Sequence, residues 1–189
     1  ALSQLSFNVL LVDLDPQGNA TTGSGLEKNN LVQSVYEVLL DRADIKKVIT
    51  HSTSGYDILG SNRKLAAAEE ELLSAARKEL RLKTKLDEVS GQYDVIIIDC
   101  PPTLSILTIN AFCAADGLII PMTCEYYSLE GVSDLLLSIR AVREQVNSGL
   151  VITGLLRVKF DPRITLQREV SEQLSGYFGS SVFSSVIPT

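Results

Sequence analysis

The sequence predicts an α/β domain in which helices cover both faces of a doubly wound, mostly parallel sheet. Short runs rich in Val and Ile alternate with longer segments that have helical periodicity. The short runs are apolar at consecutive positions, which is typical of strands buried on both faces of a parallel sheet. Right-handed crossovers between such strands give the doubly wound arrangement. The sequence contains no repeat, low-complexity tract or linker, so we expect a single domain over residues 1–189.

The predicted elements follow one another along the chain as strands and helices in turn. Strands are predicted at residues 9–12, 57–60, 95–99, 117–121, 151–158 and 182–187. Helices are predicted at residues 31–40, 104–115, 129–146 and 166–178, with two more in the charged stretch 65–89. The first residues resemble the end of a helix and the last ones follow directly on a strand. We therefore expect that both ends of the domain are incomplete.

The composition argues against several classes of protein. Of the 189 residues 45% are hydrophobic, which suffices for a sizeable core. A net charge of -6 disfavours a general nucleic-acid coat protein, although it leaves room for a local basic patch. The three irregularly spaced cysteines predict buried thiols instead of a disulfide framework or a zinc site. The sequence shows neither a signal peptide nor an apolar run near the roughly 20 residues that a membrane helix needs.

Acidic residues follow two of the predicted strands. Asp13 and Asp15 come after the first strand, and Asp99 ends the strand at residues 95–99. Ligands of open parallel sheets bind beyond the carboxyl ends of the strands, where these acids are expected. In P-loop nucleotide hydrolases, an Asp that ends an apolar strand typically holds Mg²⁺, often through a water. The alternative for Asp99 is helix capping or hydrogen bonding within a loop.

The segment after the first strand has the composition of a loop that faces phosphate and water. Pro16 restricts the backbone after the acids, and Gly18 allows another group to approach closely. A carboxylate in such a loop can orient or deprotonate an attacking water. The alternative is an ordinary turn from strand to helix, with Asn19 or Thr21 as the helix cap.

Four blocks of the sequence, in this order, resemble those of ParA/Soj-type partition ATPases, which belong to the MinD/ParA superfamily with a deviant P-loop. The blocks are Val-Asp-Leu-Asp-Pro-Gln-Gly-Asn-Ala-Thr at 12–21, Ile-Ile-Ile-Asp-Cys-Pro-Pro at 96–102, Cys-Glu-Tyr-Tyr-Ser-Leu-Glu-Gly at 124–131 and Phe-Asp-Pro-Arg-Ile-Thr-Leu at 160–166. The resemblance covers the whole chain and implies a P-loop NTPase-like fold. It also implies a phosphate-binding loop about ten residues before Ala1 and an adenine-binding segment beyond Thr189.

The resemblance implies roles for individual residues. Asp15 corresponds to the catalytic carboxylate that positions the attacking water, and Asp99 to the acid on the Mg²⁺ side. Asp13 would support the same cluster. The nucleotide-dependent switch loop would comprise Pro16, Gln17 and Gly18. Tyr126 and Tyr127 are expected to be core or interface aromatics, and His51 is expected to lie in a polar loop without a function.

The family cycle implies ATP and Mg²⁺ as cofactors and weak ATP hydrolysis. ATP would drive formation of a homodimer that binds DNA without sequence preference, and a ParB-type centromere-binding protein would stimulate hydrolysis and release. Arg163 matches a family position implicated in DNA contact, and the alternative is a solvated arginine after a turn. Other basic residues that are candidates for this surface are Arg157, Lys159 and Arg168. The resemblance implies a cytoplasmic, nucleoid-associated protein that does not bind membranes.

Two other functions fit the same fold. A MinD-like regulator of the division site would work at the membrane and would carry an amphipathic helix at its C-terminus. A degenerate relative without the phosphate-binding loop would be a binding module that does not hydrolyse ATP. The three acids at one sheet edge favour the ATPase over this module. Whether the replicon is a chromosome or a plasmid stays open.

Overall fold

The computed structural model describes residues 1–125 and 128–189 of the chain. These residues form two compact units, Ala1–Ala114 and Ala115–Thr189. Each unit has its own sheet and its own helices. The expectation of a single domain stays a prediction.

Four strands form the sheet of the first unit in the order β2–β3–β1–β4. Their bounds are Val9–Asp13 for β1, Thr50–His51 for β2, Asp57–Leu59 for β3 and Val95–Asp99 for β4. Strand β1 is parallel to β3 and β4, whereas the short β2 pairs antiparallel with β3. The register of β1 and β4 sets Asp13 opposite Asp99. The carboxyl ends of both strands therefore meet at one edge of the sheet.

Helices of the first unit pack their apolar side chains against this sheet. Their bounds are Asn19–Gly23 for α1, Val35–Leu39 for α2, Ile45–Val48 for α3, Leu65–Leu73 for α4, Arg81–Asp87 for α5 and Ile106–Ala114 for α6. Leu10 and Val12 of β1 are fully buried in a core shared with α2, α4, α5 and α6. The residues directly after them, Asp13 and Leu14, are fully buried as well. The core thus fixes the end of β1, where the acidic residues begin.

In the second unit, the described residues form three parallel strands in the order β5–β6–β7. The bounds are Gly117–Thr123 for β5, Ser128–Gln145 for α7, Val151–Phe160 for β6, Thr165–Phe178 for α8 and Val182–Pro188 for β7. Gly154 of β6 leaves room for the Phe183 ring, since a Cβ at this glycine would lie 2.6 Å from the ring. Arg157 of β6 donates hydrogen bonds to Ser171 Oγ of α8 and to the Phe183 carbonyl of β7, each 2.8 Å long. These bonds tie the helix and the outer strand to β6.

The predicted fold class, α/β with mostly parallel strands, is confirmed, and the differences lie in short segments. The helix predicted at residues 31–40 begins only at Val35, because Ser34 and Glu37 form a capping box there. Strand β2 was not predicted, since two residues are too few to show a pattern. His51 therefore lies in a strand and not in a loop, and its Nδ1 pairs with Asp57 at 2.8 Å. No helix among the described residues is long and apolar enough to cross a membrane.

Candidate functional site

Asp13 is a structural acid at the end of β1. It is fully buried, and both of its carboxylate oxygens accept hydrogen bonds. Oδ1 accepts from the Asp15 amide at 3.1 Å, and Oδ2 accepts from the amide and the hydroxyl of Thr21 at 2.8 and 2.7 Å. The Asp13 carboxylate is buried and accepts hydrogen bonds at both oxygens from Asp15 and Thr21. Asp13 therefore shapes the loop that follows it. The prediction that Asp13 supports the acidic cluster stays a prediction, and this geometry gives it a physical basis.

Asp15 is held by its main chain and keeps one carboxylate oxygen available. Its carbonyl accepts hydrogen bonds from the Gly18 amide at 2.9 Å and from Ser61 Oγ at 2.8 Å. Its Oδ1 accepts from the Gln17 amide at 2.8 Å. Within the part of the chain that the structure describes, Oδ2 accepts no hydrogen bond. A half-buried carboxylate with one free oxygen on a fixed backbone can orient a water molecule.

The residues after Asp15 form a tight turn into α1. Pro16 is half-buried, Gln17 is exposed, and Gly18 is buried in the left-handed conformation with φ at 62°. A Cβ at Gly18 would lie 2.9 Å from the Ser61 carbonyl oxygen, so only glycine fits without displacement of the backbone. The Nζ atom of Lys28 donates a hydrogen bond to the Gln17 carbonyl. Pro16, Gln17 and Gly18 are the residues of the predicted switch loop.

The alternative in which Asn19 or Thr21 caps the helix after β1 does not hold. Neither Asn19 nor Thr21 caps α1, because Gly18 occupies the N-cap position without a side-chain hydrogen bond. Thr21 is instead buried inside the helix, where its hydroxyl reaches back to Asp13. Sequence reasoning missed the contacts that Thr21, Ser61 and Lys28 make in the site. Their contacts join positions 8 to 46 residues apart, and no local pattern indicates such pairs.

Asp99 lies at the surface at the end of β4. Its main-chain carbonyl accepts the Leu14 amide at 2.8 Å, which joins the first residue after β1 to β4. Partial burial raises the pKa of the Asp99 carboxyl, and the nearby Asp13 and Asp15 carboxylates raise it further. Three carboxylates that repel one another at a sheet edge form a site suited to a cation, because the positive charge would relieve the repulsion.

The donor set fits Mg²⁺ held mainly by water and phosphate. Mg²⁺ usually takes one or two carboxylates and completes its shell with waters and substrate phosphates. Among the described residues, no group of three His, Cys, Asp or Glu side chains is arranged to hold a metal ion by itself. Asp99 is the carboxylate of this edge that is exposed, so it is the residue that would face such an ion.

Arg163 lies in the second unit, in the turn between β6 and α8. Its guanidinium makes a bidentate pair with Asp161, with Nη2 to Oδ2 at 2.7 Å and Nε to Oδ1 at 2.9 Å. These hydrogen bonds lower the pKa of Asp161 to about 2. The Arg163 side chain is nevertheless 88% exposed. Arg157, in contrast, is engaged within its own unit, while Tyr126 and Tyr127 lie outside the described residues.

Comparisons with known proteins assign the family. A family model described as an AAA domain matches residues 1–152. The sporulation initiation inhibitor protein Soj of Bacillus subtilis is 46% identical over 188 residues, which are 99% of this chain and 74% of that protein. The chromosome partitioning protein ParA of Myxococcus xanthus is 39% identical over 189 residues, which are 100% of this chain and 67% of that protein. The chain belongs to the ParA/Soj family of partition ATPases.

Solved structures confirm the P-loop NTPase-like fold of this ParA/Soj chain. A structure described as cobyrinic acid a,c-diamide synthase from Mycobacterium smegmatis superposes with a TM-score of 0.94 at 37% identity. The match covers 99% of this chain and 76% of that one. The same protein was solved with ADP and magnesium and with an ATP analogue and magnesium. The Mycobacterium smegmatis protein, which shares this fold, thus binds adenine nucleotides and magnesium.

Proposed function

We propose that this chain is the ATPase domain of a chromosome or plasmid partition protein. The observation that carries the proposal is the arrangement at the carboxyl edge of β1 and β4. There Asp13 and Ser61 fix the main chain of Asp15, and Asp99 is exposed at the neighbouring strand end. The Oδ2 atom of Asp15 accepts no hydrogen bond from the residues that the structure describes. Membership of the ParA/Soj family supports the reaction, ATP hydrolysis to ADP and phosphate, and its biological role.

The mechanism assigns one task to each acid. Asp15 Oδ2 accepts a hydrogen bond from the attacking water and aligns it with the γ-phosphate. Asp99 would hold Mg²⁺ through a water, and the bound ion would supply neutralisation of the charge on the phosphate oxygens. Asp13 carries out no proton transfer, because its two oxygens are occupied by the Asp15 amide and by Thr21. Pro16, Gln17 and Gly18 form the switch loop that senses the nucleotide.

The proposed cycle couples this site to DNA. ATP binding produces a homodimer that binds DNA without sequence preference, with Arg163 as one contact to the phosphate backbone. A ParB-type centromere-binding protein stimulates hydrolysis and thereby releases the dimer. Support comes from the family and from the 88% exposure of the Arg163 side chain, which leaves its guanidinium accessible to a second anion. The protein would be cytoplasmic and associated with the nucleoid.

The first experiment measures phosphate release by the full-length protein with ATP and Mg²⁺, with and without nonspecific DNA. We expect slow hydrolysis that DNA stimulates. Asp15→Asn should lower kcat by about 10²-fold or more, because the water loses its carboxylate acceptor. Asp94→Asn is the matched control: Asp94 directly precedes β4 at its opposite end, where it accepts the Asn8 amide at 2.8 Å.

Two results would refute the proposal. Full-length protein that binds ATP but releases no phosphate would indicate a non-hydrolysing binding module. Equal hydrolysis by wild type and Asp15→Asn would remove Asp15 from the mechanism. An unchanged rate for Asp94→Asn, together with a large loss for Asp15→Asn, would locate the reaction at the carboxyl edge of the sheet.

A further inference from the structure

Thr21 occupies a buried junction between β1, α1 and the segment after β3. Its hydroxyl donates to Asp13 Oδ2 at 2.7 Å and accepts from the Ser61 amide at 2.8 Å. Its own amide donates to the same Asp13 oxygen at 2.8 Å. Thr21 and Ser61 are both fully buried, so water does not replace these bonds if they are lost.

Ser61 extends this junction to the switch loop. Its hydroxyl donates to the Asp15 carbonyl at 2.8 Å, and its carbonyl lies where a Cβ of Gly18 would be only 2.9 Å away. The position of Ser61 therefore determines the space that the turn at Gly18 can occupy. The Thr21 hydroxyl sets that position through the Ser61 amide. A hydrogen-bonded path thus runs from Asp13 through Thr21 and Ser61 to the main chain of Asp15.

We propose that Thr21 is a positioning residue for the hydrolysis proposed above, on which this inference rests. Its hydroxyl holds Asp13 and Ser61 together and so fixes the direction of the Asp15 carboxylate. Thr21 makes these contacts entirely within the protein, and it acts on the reaction only through Asp15. The loss of this hydroxyl should therefore impair the chemical step more than nucleotide binding.

The test compares Thr21→Val, Thr21→Ser and a control in the full-length protein. The Val side chain has the shape of Thr but neither donates nor accepts a hydrogen bond. The Ser61 amide therefore loses its acceptor. We expect kcat to fall about tenfold or more with KM within about twofold, since misplacement of a catalytic group costs rate more than affinity. Thr21→Ser keeps the hydroxyl and should restore most of the rate. The control is Thr84→Val, which removes an exposed hydroxyl of α5 that donates to the carbonyl of Leu80, the residue before this helix.

Amide hydrogen exchange without nucleotide gives a readout that does not depend on turnover. Thr21→Val should accelerate exchange at Gly18 and Ser61, whereas Thr21→Ser should resemble wild type. If wild type hydrolyses ATP and Thr21→Val matches it in rate and exchange, the inference about Thr21 is overturned. If wild type does not hydrolyse ATP, the proposed function fails, and exchange alone decides whether Thr21 fixes the loop. Should Thr21→Val fail to fold by circular dichroism, Thr21→Ala takes its place in both measurements.

Discussion

At the scale of single residues, the three acids of the site differ because their surroundings differ. Hydrogen bonds occupy both oxygens of the buried Asp13, which makes it part of the framework. One carboxylate oxygen of Asp15 accepts from the Gln17 amide, and the other accepts no hydrogen bond within residues 1–125 and 128–189. Asp99 is exposed, and its carboxylate accepts no hydrogen bond from the described residues. Asp99, which receives the fewest hydrogen bonds from these residues, is thus the acid suited to hold a metal ion.

The raised pKa of Asp99 predicts how stability changes with pH. Burial and the nearby Asp13 and Asp15 carboxylates raise the pKa of Asp99 in the folded state. The folded protein then binds the proton more tightly than the unfolded chain, whose Asp pKa is about 3.9. Stability associated with Asp99 is therefore present below about pH 3.9 and is lost as the pH rises through the raised folded value.

Asp99→Asn should accordingly raise Tm at pH 7 without Mg²⁺, by about 1–3 °C. The difference from wild type should vanish below about pH 3.9, where Asp99 is protonated in both states. Mg²⁺ together with ATP should raise the Tm of wild type more than that of the variant. Thermal unfolding followed by circular dichroism from pH 3 to pH 8 checks both statements. A lower Tm for Asp99→Asn at pH 7 would contradict the account of repulsion at this edge.

At the scale of elements, the turn from β1 into α1 depends on one glycine. Gly18 has a φ of 62°, and a Cβ there would lie 2.9 Å from the Ser61 carbonyl oxygen. Gly18→Ala should destabilise the protein by about 1–3 kcal/mol, because it adds backbone strain and a contact with fixed main chain. Gly23→Ala at the end of the same helix is the control, since a Cβ there meets nothing within 4 Å.

Denaturant unfolding of both glycine variants measures this difference. Gly23→Ala should change the free energy of unfolding by about 0.5 kcal/mol or less, or stabilise slightly by restricting the unfolded chain. Equal effects of the two substitutions would mean that the turn tolerates a side chain. Such a result would also mean that Ser61 does not confine the switch loop.

Elements with strong local patterns could be predicted, and those that depend on distant contacts could not. Strand β4 was predicted with its observed bounds, Val95–Asp99, because a run of apolar residues ends in a single acid. Helix α2 begins later than predicted, because the Ser34 cap overrides the apolar spacing before it. The acids of the site were visible in the sequence. The contact between Thr21 and Ser61 was not, because the two residues meet only after β1 and β3 pair.

At the scale of the whole molecule, the net charge of -6 opposes DNA binding unless basic groups are concentrated at the contact. Arg157 is already engaged with Ser171 and with carbonyls of β7. Arg163 is paired with Asp161 but remains exposed, so it can add a phosphate contact at the edge of its guanidinium. Binding through contacts of this kind should fall steeply as the salt concentration rises, because each phosphate contact releases counterions from the DNA.

Arg163→Ala should therefore weaken binding of the ATP-loaded full-length protein to nonspecific DNA similarly for all sequences. It should also reduce the slope of log K against log salt by about 0.9, which is the contribution of one neutralised phosphate. Arg140→Ala is the matched control, because Arg140 is likewise exposed and pairs with an acid, Glu144, at 2.8 Å. A titration from about 50 to 200 mM salt covers the range in which such contacts change affinity strongly. If both variants keep the wild-type slope, Arg163 makes no phosphate contact and is a solvated arginine after a turn.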